Sequence, residues 1–63
     1  MGFREMRIKA GKTVLDVQKA LEVSDATIYY WEKGTTKPTA DNLIKLSKLY
    51  ECSIDDLLKE EGG

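Results

Sequence analysis

The sequence predicts a small all-α domain, on three observations. Apolar residues recur at intervals of three and four, with no strand-like alternation of useful length. Thr13, Ser24, Thr39 and Ser53, residues whose side chains cap helix N-termini, each stand just before such a periodic segment. Gly11, Gly34 and Pro38 fall where those segments have to stop, glycine because it tolerates the left-handed conformation and proline because it cannot continue a helix.

The elements follow in order. A first helix over about Phe3 to Ala10 puts Phe3, Met6 and Ala10 on one stripe and ends at Gly11. Thr13, with Asp16 three residues on, forms a capping box for a second helix running to about Leu21, with Val14, Val17 and Leu21 at helical spacing. Only Glu22 and Val23 separate Leu21 from Ser24, which caps a third helix extending to about Lys33, so these two helices must cross steeply. Gly34 closes the third helix, and Thr35-Thr36-Lys37-Pro38 forms the loop after it. Thr39 caps a fourth helix with Leu43, Leu46 and Tyr50 on one stripe, flanked by Ile44 and Leu49. Ser53 and Asp56 form a second capping box, for a short last helix carrying Ile54, Leu57 and Leu58, and the acidic end, residues 59–63, is expected to fray.

Composition narrows the function. Sixty-three residues, 41% of them hydrophobic and 33% charged, suffice for one core, so residues 1–63 read as a single domain. One cysteine, Cys52, closes no internal disulfide, and without histidine a zinc site lacks its usual ligands. The same scarcity leaves no base poised near neutral pH beside a nucleophile, so neither catalysis nor a cofactor is expected. Charges interrupt the start of the chain where a signal peptide would be apolar, and the longest apolar run is a few residues, so the chain reads as cytoplasmic with no membrane partner.

The net charge of −1 hides an asymmetry. Residues 1–50 hold nine basic and six acidic residues, a net +3, whereas residues 51–63 carry a net −4. The first fifty residues alone suit a polyanion; the acidic end reads as a solvated face. In the third helix Ile28, Trp31 and Glu32 share one face, while Asp25, Ala26, Tyr29, Tyr30 and Lys33 point elsewhere. Such a polar-aromatic outer face, on a helix set steeply against its neighbour, has the geometry to enter a DNA major groove.

From Phe3 to Leu58 the chain resembles the lambda-repressor-like helix-turn-helix domains of the Cro and phage-repressor type. The resemblance rests on Arg7, Gly11, Thr13, Leu21, Val23-Ser24, Thr27-Ile28, Trp31-Glu32-Lys33-Gly34, Pro38, Leu43 through Leu46, and Ser53-Ile54-Asp55-Asp56-Leu57-Leu58. It implies a five-helix fold, a helix-turn-helix unit over about residues 13–33, and sequence-specific transcriptional regulation on double-stranded DNA, with no small-molecule substrate. It further implies that Arg7 and Glu32 pair across the first and third helices, that Trp31 packs in the core, and that Asp25, Ala26 and Tyr30, with Tyr29 beside them, face base edges. Lys12, Thr13, Lys33, Thr35, Thr36 and Lys37 are the implied phosphate contacts, with Arg4 and Lys9 as further positive charges that could lie near the groove. Reading a pseudo-palindromic operator takes two copies; a homodimer would use the core domain itself, with Tyr50, Cys52 and Leu58 near the last two helices as the candidate contacts, or be weak and completed on DNA.

Three residues depart from the pattern. Asp25 stands where relatives carry hydrogen-bond donors; it either accepts from a cytosine amino group or serves the positive N-terminus of its own helix. Val14 replaces a phosphate-clamping glutamine, leaving the backbone N–H groups of that helix end to attract an anion. Gln18 replaces a small alanine at the helix–helix contact. These departures sustain a second reading, a protein-interaction module on the same fold that uses the Tyr29/Tyr30 face and the acidic C-terminus.

Overall fold

The computed structural model describes residues 2–58, and among them forms five helices and no strand: α1 (Phe3–Lys9), α2 (Val14–Leu21), α3 (Asp25–Lys33), α4 (Ala40–Leu49) and α5 (Ile54–Leu58). The expected fraying of residues 59–63 lies outside the described residues. α1 ends one residue before the expected Ala10, which still donates its N–H to the Met6 carbonyl and acts as the cap.

Local chemistry explains the boundaries. Thr13 N–H donates to Asp16 Oδ2 at 2.8 Å while Asp16 N–H donates to Thr13 Oγ1 at 3.1 Å, a reciprocal capping box opening α2. Ser53 and Asp56 repeat it at α5, with contacts of 3.3 and 3.1 Å. Ser24 Oγ accepts the Thr27 N–H at 3.2 Å, and Thr39 Oγ1 accepts that of Asn42 at 3.4 Å.

Four helices stop at a residue in the left-handed conformation. After α1, Gly11 at φ +72° turns the chain so that its N–H reaches the Ile8 carbonyl and that of Lys12 reaches Arg7. Gly34 at φ +85° does the same for α3, sending its own N–H to Trp31 and that of Thr35 to Tyr30. After α4 the left-handed residue is Glu51, at φ +52°. Glu22, at φ +57°, makes the corresponding turn between α2 and α3 and donates to the Gln18 carbonyl at 2.7 Å.

Every helix supplies the core, which consists of Met6, Val17, Leu21, Ile28, Trp31, Leu46, Tyr50 and Leu57. α2 packs on α3 and α4, α4 also on α5, and α1 on α3 and α5. Phe3, Ala10, Val14, Val23, Leu43, Leu49 and Cys52 close over this cluster, so the predicted stripes are those that face inward. Ile44 differs: it flanks its stripe in sequence but is 44% exposed.

Candidate nucleic-acid interface

α3 is presented to solvent by what it buries. Ile28 and Trp31 point into the core, leaving Asp25, Ala26, Tyr29, Tyr30 and Lys33 exposed on the other side, Tyr29 at 49% and Tyr30 at 48%. These residues lie on one continuous polar-aromatic face.

The helix is fixed to the scaffold by a charged contact. Arg7 Nε donates to Glu32 Oε2 at 2.7 Å and Nη2 donates to Oε1 at 3.3 Å, a bidentate pair joining α1 to α3. Arg7 Nη1 donates to the Lys12 carbonyl at 3.2 Å, tying the same guanidinium to the turn before α2. The side chains are only 13% and 6% exposed, and the hydrogen bond with Glu32 raises the Arg7 pKa, opposed by burial. Arg7 thus holds α1, the α2 entry and α3 in one arrangement. The pairing with Glu32 lies 25 positions away in sequence and is reached only through the resemblance; the bond to Lys12 O has no sequence signal.

Asp25 turns its carboxylate back on its own helix. Its Oδ1 accepts the Ala26 N–H at 2.8 Å, the helix-terminus role of the two that the sequence left open. At the start of α2, Val14 packs against the core, and the N–H of Thr13 is already taken by Asp16. The pKa of Asp16 is lowered, first by the Thr13 N–H and then by the Thr13 hydroxyl. An anion approaching this end therefore meets the neighbouring N–H groups of α2, the Thr13 hydroxyl and the Lys12 ammonium, with Asp16 opposing it.

The loop after α3 is spent differently from what its sequence suggests. The N–H groups of Thr35 and Thr36 both point at the Tyr30 carbonyl, at 2.9 and 3.4 Å, leaving their hydroxyls for an outside partner. Lys33 and Lys37 are exposed, and with Thr36 they line a groove that also takes in the start of α1 and the end of α5. The expected phosphate contacts thus fall into two groups, Lys12 and Thr13 at one end of α2, and Lys33, Thr35, Thr36 and Lys37 after α3.

One interface expectation needs correction. Tyr50, expected on a dimer face, is 6% exposed and belongs to the core. Burial first, and then Glu32, push its phenol above its ordinary pKa. Cys52 is partly buried and packs on the core, and burial raises its thiol as well. Of the three residues only Leu58 is open, at 45%, and Ile44 of α4 is the exposed apolar residue that the sequence stripe missed. A tyrosine closing a helical stripe carries no signal that separates core from interface.

Comparison with known proteins decides the family. The helix-turn-helix family model matches residues 3–57, all five helices but the last residue of α5. The chain belongs to the helix-turn-helix family. Within it, the lambda-repressor-like resemblance read from Arg7 through Leu58 stands. Repressor protein C2 of Salmonella phage P22 is 40% identical over 58 residues, covering 84% of this chain and 27% of the relative. The HTH-type transcriptional regulator DicA of Escherichia coli (strain K12) is 42% identical over 51 residues, 81% of this chain and 36% of DicA. The HTH-type transcriptional regulator ImmR of Bacillus subtilis (strain 168) is 34% identical over 59 residues, 94% of this chain and 46% of ImmR. The chain spans between about a quarter and a half of the length of these relatives. No solved structure matches the chain. No helix among the described residues is long and apolar enough to cross a membrane.

Proposed function

We propose that this helix-turn-helix chain is a sequence-specific DNA-binding regulator of transcription that inserts α3 into the major groove. The observation that carries the reading is the α3 face itself: Asp25, Ala26, Tyr29 and Tyr30 stand outward on a helix locked by Trp31, Ile28 and the Arg7–Glu32 pair. The relatives support it, since all three bear the names of repressors or transcriptional regulators. Tyr29 and Tyr30 offer phenol hydrogen bonds and aromatic surface to thymine methyls; Lys12, Lys33 and Lys37, helped by Thr13, Thr35 and Thr36, neutralise backbone phosphates and set the register.

A single α3 reads few base pairs, so two copies on a pseudo-palindrome with half-sites about 34 Å apart are the working unit. Ile44 and Leu58, on α4 and α5, are the exposed apolar residues available to pair them. The test is fluorescence anisotropy against a randomised duplex pool at several salt concentrations, followed by sequencing of the bound fraction. Enriched half-sites are expected, with Tyr30→Ala erasing sequence preference and Lys37→Ala weakening all sequences alike. A pool returned without enrichment, bound no better at low salt than at high, sinks the proposal.

A further inference from the structure

One groove in this molecule is not explained by base reading. It runs between the start of α1, the end of α3 with its following loop, and the end of α5, and encloses about 550 Å³. Its apolar floor is assigned to the apolar side chains of its lining, Phe3, Trp31, Leu57 and Leu58, with Leu58 nearly half exposed. Its rim carries Arg4, Lys33 and Lys37. Among the described residues none of these three cations has an ion pair or a side-chain hydrogen bond. Among the described residues two carboxylates line the groove, and Glu32 is neutralised by Arg7, which leaves Glu5 against three positive groups.

We propose that this groove docks an acidic peptide segment of a protein partner, one in which carboxylates flank a bulky apolar side chain. Charge complementarity selects the occupant: carboxylates meet Arg4, Lys33 and Lys37 while the apolar side chain covers Phe3, the Trp31 edge and Leu58. A phosphate backbone satisfies the rim and leaves the floor wet, so the apolar floor argues for a peptide over a nucleic acid. Lys33 and Lys37 are also proposed phosphate contacts, so a docked peptide and DNA compete for them. That regulatory consequence rests on the DNA-binding reading; the docking itself does not.

The test uses the full chain and an acetylated, amidated peptide of sequence Glu-Asp-Leu-Phe-Glu-Asp, beside a control in which Leu and Phe are both Ser. Backbone amide shifts and the fluorescence of Trp31, the single tryptophan, report docking without reference to DNA. Saturable shifts confined to Phe3, Arg4, Trp31, Lys33, Lys37 and Leu58 are expected, lost with the Ser control. Affinity should fall by about tenfold or more in Arg4→Glu and in Leu58→Ser, both exposed positions that spare the core. The peptide should also weaken binding of the selected duplex. No shift at these residues up to about 1 mM peptide overturns the docking, and so do equal shifts from the Ser control, which reduce it to charge alone. Duplex DNA that protects Phe3 and Trp31 while the peptide does not assigns the groove to nucleic acid and overturns it too. Peptide that saturates the groove without loosening the duplex overturns the competition, and a chain that takes the peptide but no duplex upholds the docking and overturns the DNA reading.

Discussion

At the scale of single residues, the Arg7–Glu32 pair is the contact on which the position of α3 depends. Both side chains are largely shielded, so removing one partner strands the other's charge in a poorly solvated place. Glu32→Ala is expected to cost about 3 kcal/mol, a large share of the roughly 5 kcal/mol available to a domain of this size. Urea unfolding measures it, and a loss below about 1 kcal/mol would show that the pair is solvent-screened in solution. Asp25 makes a sharper functional case. Asn at that position still accepts the Ala26 N–H yet removes a negative charge from the groove-facing end of α3. Asp25→Asn should cost no more than about 1 kcal/mol of stability, the worth of its charge at the helix N-terminus, and raise duplex affinity by about fivefold per copy, the worth of one like-charge contact near a phosphate in water. If affinity drops instead, Asp25 is reading a base. Asp16 contributes to the acid side of stability. Its folded pKa lies below its unfolded value, so the unfolded chain binds more protons as the pH falls. The box is therefore fully present above the unfolded pKa of about 3.9 and is lost as the pH drops through the lower folded value. Asp16→Asn should flatten the melting temperature against pH across that window, and an unchanged profile would assign the acid limb to other carboxylates.

At the scale of the helices, the ends decide more than the middles. Gly34 sits at φ +85° with open space where a Cβ would go, so Gly34→Ala meets no clash and pays only backbone strain. The expected loss is about 1–2 kcal/mol. Glu51 occupies the equivalent place after α4 with a side chain that disfavours it, so Glu51→Gly should stabilise by up to about 1 kcal/mol. Opposite signs for these two substitutions in one thermal series test the geometry directly; a destabilising Glu51→Gly would mean that the Glu51 side chain makes a compensating contact. The pair also shows what sequence can reveal of the fold. Thr13, Ser24, Thr39, Ser53, Gly11 and Gly34 mark helix ends because their side chains, or the lack of one, act within three residues of their own position. Glu22 and Glu51 make the same left-handed turns with no local mark, because there tertiary packing imposes a conformation that their residue type resists. The exposure of Ile44, and the choice between core and dimer face for Tyr50, were illegible for a related reason: the stripe was clear, but which edge of it meets α2 or α5 depends on crossing angles set by the whole bundle.

At the scale of the whole molecule, the outer face of α3 was legible because Ile28 and Trp31 leave no other orientation for Tyr29 and Tyr30. The groove was not, since it brings Phe3, Lys33, Lys37 and Leu58 together from three separated segments. The net charge of −1 has the same defect as a guide, because it averages a basic body with an acidic end. On the proposed reading DNA meets the local field of Lys12, Lys33 and Lys37, and each phosphate neutralised would release a condensed counterion. Three lysines per copy and two copies per operator give six such contacts, so log K should fall with log salt at a slope of about −5. Lys37→Ala, which removes two of the six in the dimer, should flatten the slope to between −3 and −4, or about −3.6, with sequence preference intact. A slope near −2.7 for the unaltered chain, half the expected value, would mean that one copy binds alone and that the apolar surface at Ile44 and Leu58 does not pair two copies on DNA.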